Sequence, residues 1–404
     1  MKRPFLLAAA LLFAAAASAQ KSYTLSSPDG RLQTTVAAGE ELTYDIRLEG
    51  RTLLEASPLA LELDNGSTWG AHPRVIRTRR TSVDRRIASP FYRADSIDEC
   101  YNALTLRMKG DWEVEFRAYD DGVAYRFVNR SKRPFHIVSE RVEYRFPADF
   151  QATVPYVATG KEGDFESQLH NSFENTYTSA PLSEMNPGRL AFLPLVVDAG
   201  EGVKLCLSES DLCDYPGLYL RNADGGQMLS GYFAPCPARE EQGGHNRLQM
   251  LVREREAYIA QVDAPRSFPW RMAVVGSDTQ LAASSMSYLL AAPSKINDRS
   301  WIRPGKVAWE WWNDWNLAGV DFRTGVNNQT YRYYIDFAAA HGIEYVILDE
   351  GWAVNLKADL FEVVPEINLP ELVEYADRKG VGIILWAGYH AFNRDMEQIG
   401  RAHV

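Results

Sequence analysis

The chain is 404 residues long, 46% hydrophobic and 24% charged, the composition of a globular protein with room for two or three domains and a large core. A formal net charge of −10 argues against a nucleic-acid partner, whose phosphates it would repel. Beyond the N-terminus no apolar run approaches the length of a membrane span.

In chain order, the first signal is an export address. Lys2 and Arg3 precede an apolar stretch from Phe5 to Ala17, and Ala17-Ser18-Ala19 is a small-x-small cleavage pattern. Residues 1–19 are therefore expected to be a signal peptide and Gln20 the start of a mature chain that is periplasmic or secreted. No cysteine follows the cleavage point, which argues against a lipid anchor. Of the four cysteines, Cys206, Cys213 and Cys236 are close enough in sequence for one disulfide, which an oxidising compartment permits; buried free thiols are an equal alternative. Their spacing does not match a zinc site.

From residue 22 to about 280 the pattern is β. Trp112, Val114, Phe116 and Ala118 alternate with polar residues, Asp121-Gly122 supplies a turn, and "VAYRFV" returns, the signature of a hairpin. "YTLSS", "LQTTVAA", "LTYDIRL", "FHIVSERVEYRF", "GVKLCLS" and "RLQMLVREREAYIAQV" have the same character. Many short strands between Gly, Pro and Asp turns predict a large antiparallel sandwich over residues 20–280.

The rhythm then changes. "LAASSMSYLLAA" predicts a helical linker over 281–305, and "KVAWEWW" a strand. "NQTYRYYIDFAAAHG" predicts a helix capped by Gly342, "IEYVILDEGW" a strand ending in charge, "LPELVEYADRKG" a helix with Pro370 in its first turn and Gly380 past its end, and "VGIILWAGYH" a third strand. Apolar strands alternating with helices predict parallel pairing, and β-α-β-α-β over residues 306–398 is read as the first part of a (β/α)8 TIM barrel. Functional groups in such a barrel stand at the C-terminal strand ends. Here these are Trp311, Trp312 and Asn313; then Asp349, Glu350 and Trp352; then Trp386, Tyr389 and His390.

The stretch "KVAWEWWNDW" holds four of the chain's ten tryptophans, Trp309, Trp311, Trp312 and Trp315. Indole faces cover the C–H faces of sugar rings, while carboxylates accept from sugar hydroxyls. Trp311 and Trp312 are thus candidates for sugar contact, with Trp309 in the barrel interior and Trp315 in loop packing. Asp349 and Glu350 are adjacent, which suits hydroxyl recognition better than a catalytic pair that must flank a glycosidic bond.

Several long motifs carry a resemblance. "GKVAWEWWNDW", "EYVILDEGW" and "GIILWAGYHAFNRDME" resemble the first three barrel strands of glycoside hydrolase family 97, and "NSFENTYTSAPLS" and "LSESDLCDYPGLYL" resemble its N-terminal domain. The resemblance implies an exo-acting bacterial α-glycosidase with an N-terminal β-super-sandwich, a (β/α)8 barrel, a small C-terminal β domain and a calcium ion. It also implies that Glu174, in "NSFENTY", is a calcium ligand.

Within the family, the inverting α-glucosidases carry a "WHET"-like string after the third strand. Here Ala387 and Gly388 follow Trp386, as in the "WAGYYAFDRDME"-like string of the retaining, α-galactosidase-like branch, with His390 and Asn393 as departures. The expected activity is hydrolysis of terminal α-glycosidic bonds in oligosaccharides by a retaining α-galactosidase. An inverting α-glucosidase and a non-catalytic carbohydrate-binding protein are the alternatives.

The resemblance places the nucleophilic aspartate on a fourth strand and the acid/base glutamate later still. Lys306 to Val404 is 99 residues, against about 250 for a whole barrel. The catalytic carboxylates and most calcium ligands are thus expected beyond the last residue, and the polypeptide as written is expected to be inactive. The terminal "IGRAHV", residues 399–404, fits neither the family pattern nor a helix continuing from Met396. It does match the translation of a common sequencing adapter, so the last genuine residue is expected near Gln398.

Overall fold

The computed structural model describes residues 20–170 and 172–401. The signal-peptide reading of residues 1–19 and the last three residues of "IGRAHV" lie outside that range. The chain divides into two compact units, Met1–Cys236 with Ala257–Pro293, and Pro237–Glu256 with Ser294–Val404.

The first unit is the expected antiparallel sandwich. One sheet has nine strands among the described residues. Lys21–Ser26, Leu32–Ala38, Leu42–Leu48 and Arg51–Leu63 run as a meander, continued by Phe135–Arg145, Met228–Tyr232 and Tyr219–Arg221. The other has ten, from Thr178–Pro181 at one edge to the long Val75–Ala88 and Ser96–Met108 pair at the other. Alternation of buried and half-buried residues follows the pleat, as in Trp112–Tyr119, and each sheet gives one face to a shared core. Leu32, Ile46 and Leu61 of the first sheet and Leu106, Val114 and Phe116 of the second belong to that one cluster. The hairpin turn is Asp120-Asp121, with Gly122 already paired to Tyr119 as the first residue of the return strand.

The predicted linker helix is two short helices, Asp278–Ala283 and Met286–Leu290, broken at Ser284 and packed on the first unit. Ser277 closes a capping box with Gln280 at the start of the first of them. The four cysteines are free thiols.

In the second unit three strands, Val307–Trp309, Tyr345–Leu348 and Gly382–Leu385, pair in parallel in chain order, Ala308 beside Val346 and Val346 beside Ile383. Helices Asn328–His341 and Leu369–Lys379 link them, each stopped by a left-handed glycine, Gly342 at φ 64° and Gly380 at φ 71°. The parallel β-α-β-α-β pattern is thus as expected; a closed barrel is not present among the described residues.

Two features differ from expectation. The first strand ends at Trp309, and Glu310–Asn313 forms a 3₁₀ turn, so Trp311 and Trp312 stand on a turn and not on a strand. The last helix runs from Tyr389 to Arg401, straight through Ile399 and Gly400. Their sequence was expected to break it, but nothing from Tyr389 to Arg401 is a proline, and a single glycine does not stop a helix.

An antiparallel hairpin, Pro237–Gly243 with Gln249–Arg255, also belongs to the second unit although it lies in sequence between strands of the first.

Candidate active site at the ends of the parallel strands

The turn after the first strand is built around Glu310, which is fully buried. Its Oε1 accepts from Tyr331 Oη at 2.8 Å and from the backbone N–H of Asp349 at 2.8 Å. One carboxylate oxygen thereby fixes the ends of two strands to the helix between them. Its Oε2 is buried and has no hydrogen-bond partner among the described residues. Burial pushes the Glu310 carboxyl above its ordinary range, against the hydrogen bonds from Asp349 and Tyr331 that favour the charged form. Burial, and then the neighbouring Glu310, push the Tyr331 phenol up as well.

Tyr331 also accepts from Trp315 Nε1 at 3.3 Å, and Tyr334, one helical turn on, donates to Asn313 Oδ1 at 2.8 Å. Two tyrosines on one helix face therefore hold both ends of the tryptophan turn. The turn closes with Asp314 and Trp315 both at φ 52°, a left-handed region that costs an L residue about 1–2 kcal/mol. Such strain persists only where the surroundings over-determine it, as this network does.

The turn sorts the four indoles. Trp309 is half-buried and donates from Nε1 to Asp349 Oδ2. Trp315 packs edge-on against Trp311 with ring centres 5.5 Å apart, in keeping with the packing role expected of it. Trp311 is 54% exposed and Trp312 80% exposed. Trp312 also meets Trp309 edge-on at 5.5 Å, so the exposed ring is braced and not merely loose.

Asp349 and Glu350 follow the second strand in different settings. Asp349 is buried; Oδ2 takes the Trp309 indole and Oδ1 the backbone N–H of Glu350. Glu350 is half-buried, and its Oε1 accepts from Asn355 Nδ2 at 2.8 Å and from Asn246 Nδ2. Its Oε2 makes no hydrogen bond among the described residues. Gly351 at φ 114° turns the chain, and Trp352, buried, donates from Nε1 to the carbonyl of Trp386 at 2.8 Å, joining the ends of strands two and three. Glu174 is in the first unit, exposed, in the loop ahead of Thr178–Pro181.

Among the sequence-selected residues, contacts in the structure link Trp311, Trp312, Asp349 and Glu350 at the strand ends through Trp309, Trp315, Tyr331 and Glu310. Glu310 and Asn246 were not foreseen. The signal for Glu310 is a carboxylate set directly between tryptophans, Trp309 and Trp311, at the end of an apolar strand. Asn246 carries no signal, because its partner is 104 residues away.

A family model described as the glycosyl-hydrolase 97 N-terminal domain matches residues 25–293, and one described as glycoside hydrolase 97 matches residues 311–402. The chain belongs to glycoside hydrolase family 97. The second match ends at residue 402, within the terminal segment 399–404.

Within family 97 the chain is 62% identical over 402 residues to a retaining alpha-galactosidase of Bacteroides thetaiotaomicron, covering 99% of this chain and 61% of that protein. Among solved structures it resembles a family 97 enzyme from Pseudoalteromonas sp. strain K8 in complex with acarbose. The TM-score is 0.73 at 21% identity, covering 89% of this chain and 53% of that one. It also resembles a β-arabinopyranosidase, with a TM-score of 0.71 at 22% identity, covering 91% and 56%. The chain thus spans between half and two thirds of the length of these relatives, and the structural likenesses speak for the fold.

Proposed function

We propose that this family 97 chain belongs to an exported retaining α-galactosidase that releases terminal α-linked galactose from oligosaccharides. The observation that carries the reading is the 62% identity, across 99% of the chain, to a relative named for that activity. The geometry agrees with it. Two exposed, braced indoles offer platforms for a sugar face, and Glu350 offers an open acceptor oxygen beside them in sequence order at successive strand ends.

On this reading the three parallel strands are the opening of a (β/α)8 barrel, whose functional side chains stand at the C-terminal strand ends. An inverting relative would need a base carboxylate after the third strand, where Ala387 and Gly388 stand. Trp311 and Trp312 carry the sugar in this reading, and Asp349 and Glu350 read its hydroxyls, Asp349 with the lone pairs that its internal donors leave open.

We extend the proposal to calcium on the family resemblance. Calcium takes six to eight oxygens, and among the described residues no three His, Cys, Asp or Glu side chains gather as a metal site. Glu174 would be one ligand, and these residues do not complete the shell.

The test is the stereochemistry of hydrolysis by the full-length protein, followed by NMR on an aryl α-galactoside. Release of α-galactose first is the expected result. β-Galactose first, or preference for the α-glucoside, overturns the reading.

A further inference from the structure

The Glu350 carboxylate is held from one side by its own loop, through Asn355, and from the other by a hairpin that comes from far upstream. That hairpin, Pro237–Arg255, lies within the stretch matched by the family's N-terminal model, yet it is compact with the parallel strands. Its tip is tightly specified. Gly244, Asn246 and Arg247 have φ of 73°, 47° and 60°, and Gln242 Nε2 holds the Arg247 carbonyl at 2.8 Å.

Leu248, just past the tip, is buried against Ala358, Ala391 and Trp386, and its carbonyl accepts from the backbone N–H of His390 at 3.1 Å. The tip is therefore docked on the loop after the second strand and on the start of the helix after the third. From there Asn246 reaches Glu350 Oε1.

We propose that Asn246 is a positioning residue for sugar binding. By occupying Oε1 together with Asn355, it fixes the half-buried Glu350 carboxylate so that Oε2, which has no hydrogen-bond partner among the described residues, is presented to a galactosyl hydroxyl. The physical basis is geometric. A glutamate has three rotatable bonds, and two amide donors converging on one oxygen restrict them before the ligand arrives, which lowers the ordering cost of binding. Asparagine suits the position doubly, since it tolerates the left-handed backbone and carries the N–H donor. The inference rests on the α-galactosidase reading and on the role of Glu350 within it.

The experiment is a double-mutant cycle in the full-length protein, read as KM and kcat on an aryl α-galactoside. Asn246→Gly keeps the left-handed backbone and removes only the amide. It is expected to raise KM about tenfold, the size of one charge-assisted hydrogen bond, with kcat nearly unchanged. In a Glu350→Ala background the same change is expected to add nothing, because Asn246 acts only through Glu350.

Asn246→Asp replaces the donor with a carboxylate facing Glu350. Its KM is expected to be high at neutral pH and to recover as the pH falls and the new carboxyl is protonated. An active wild type with a neutral Asn246→Gly, or an effect that adds fully to that of Glu350→Ala, overturns the inference. A wild type inactive on every α-galactoside overturns the functional reading beneath it.

Discussion

Glu310 and Trp312 are two positions apart in the chain, yet they are opposite kinds of residue. Glu310 is sealed in the protein, with one oxygen accepting two hydrogen bonds and the other without a partner among the described residues. Its folded pKa lies above the ordinary 4.5, so the folded state binds the proton more tightly than the unfolded one. The sign follows. Its contribution to stability is most favourable below about 4.5 and declines as the pH rises through the folded value. Glu310→Gln keeps the oxygen that accepts from Tyr331 and Asp349 and never ionises. Urea unfolding across a pH series is expected to show a shallower decline for this variant than for the wild type. Glu310→Ala strands the Tyr331 hydroxyl and the Asp349 N–H in the interior and is expected to cost about 2–4 kcal/mol. Trp312, 80% exposed, carries little of the fold. Trp312→Ala is expected to change stability by less than about 0.5 kcal/mol while weakening sugar binding, measured by galactose titration of the full-length protein.

Among elements, the hairpin tip shows what local pattern reveals and what it leaves out. Alternation in "RLQMLVRERE" marks a strand, and Gln249–Arg255 is one. Nothing in that pattern says which unit the strand joins, because the docking surface is made by residues more than a hundred positions later. Gly388 is part of that surface. A Cβ there would stand 2.9 Å from Leu248 Cβ and 3.3 Å from the Leu248 carbonyl oxygen, too close on both counts. Gly388→Ala is expected to push the tip away at a cost of about 1–3 kcal/mol, read as a lower thermal midpoint, and to raise KM in the same direction as the loss of Asn246. The helices were legible for the converse reason. Gly342 and Gly380 end them within the segments themselves, and Asn327 and Asn368, one residue ahead of each segment and not singled out from the sequence, cap their starts. The 3₁₀ turn at Glu310–Asn313 was not legible, since the polar contacts that bend the chain there come from Tyr331, Tyr334 and Asp349.

At the scale of the whole molecule, the sandwich was legible from alternation, but the ion cluster that joins its sheets was not. Glu209 and Arg271 are direct neighbours on paired strands of the ten-stranded sheet, and Glu140 comes from the nine-stranded one. Arg271, 1% exposed, gives Nε and Nη2 to the two oxygens of Glu140 at 2.9 and 2.7 Å and Nη1 to Glu209. Tyr215 adds a hydroxyl to Glu140 at 2.8 Å. Two carboxylates share one guanidinium, and burial raises the Glu209 carboxyl against the pull of Arg271. Removing the cation leaves two like charges facing each other without a counterion, whereas removing one carboxylate leaves a matched pair. Arg271→Met is therefore expected to destabilise the first unit by about 3–5 kcal/mol, and Glu209→Gln by much less. The penalty for Arg271→Met is expected to shrink at low pH, where Glu209, already raised by burial, takes up a proton and the like-charge pair is relieved. Chemical unfolding of the three proteins at neutral and acidic pH checks the ranking. Equal losses for both substitutions, or a pH-independent loss for Arg271→Met, would mean that packing and not charge balance holds the two sheets together at this point.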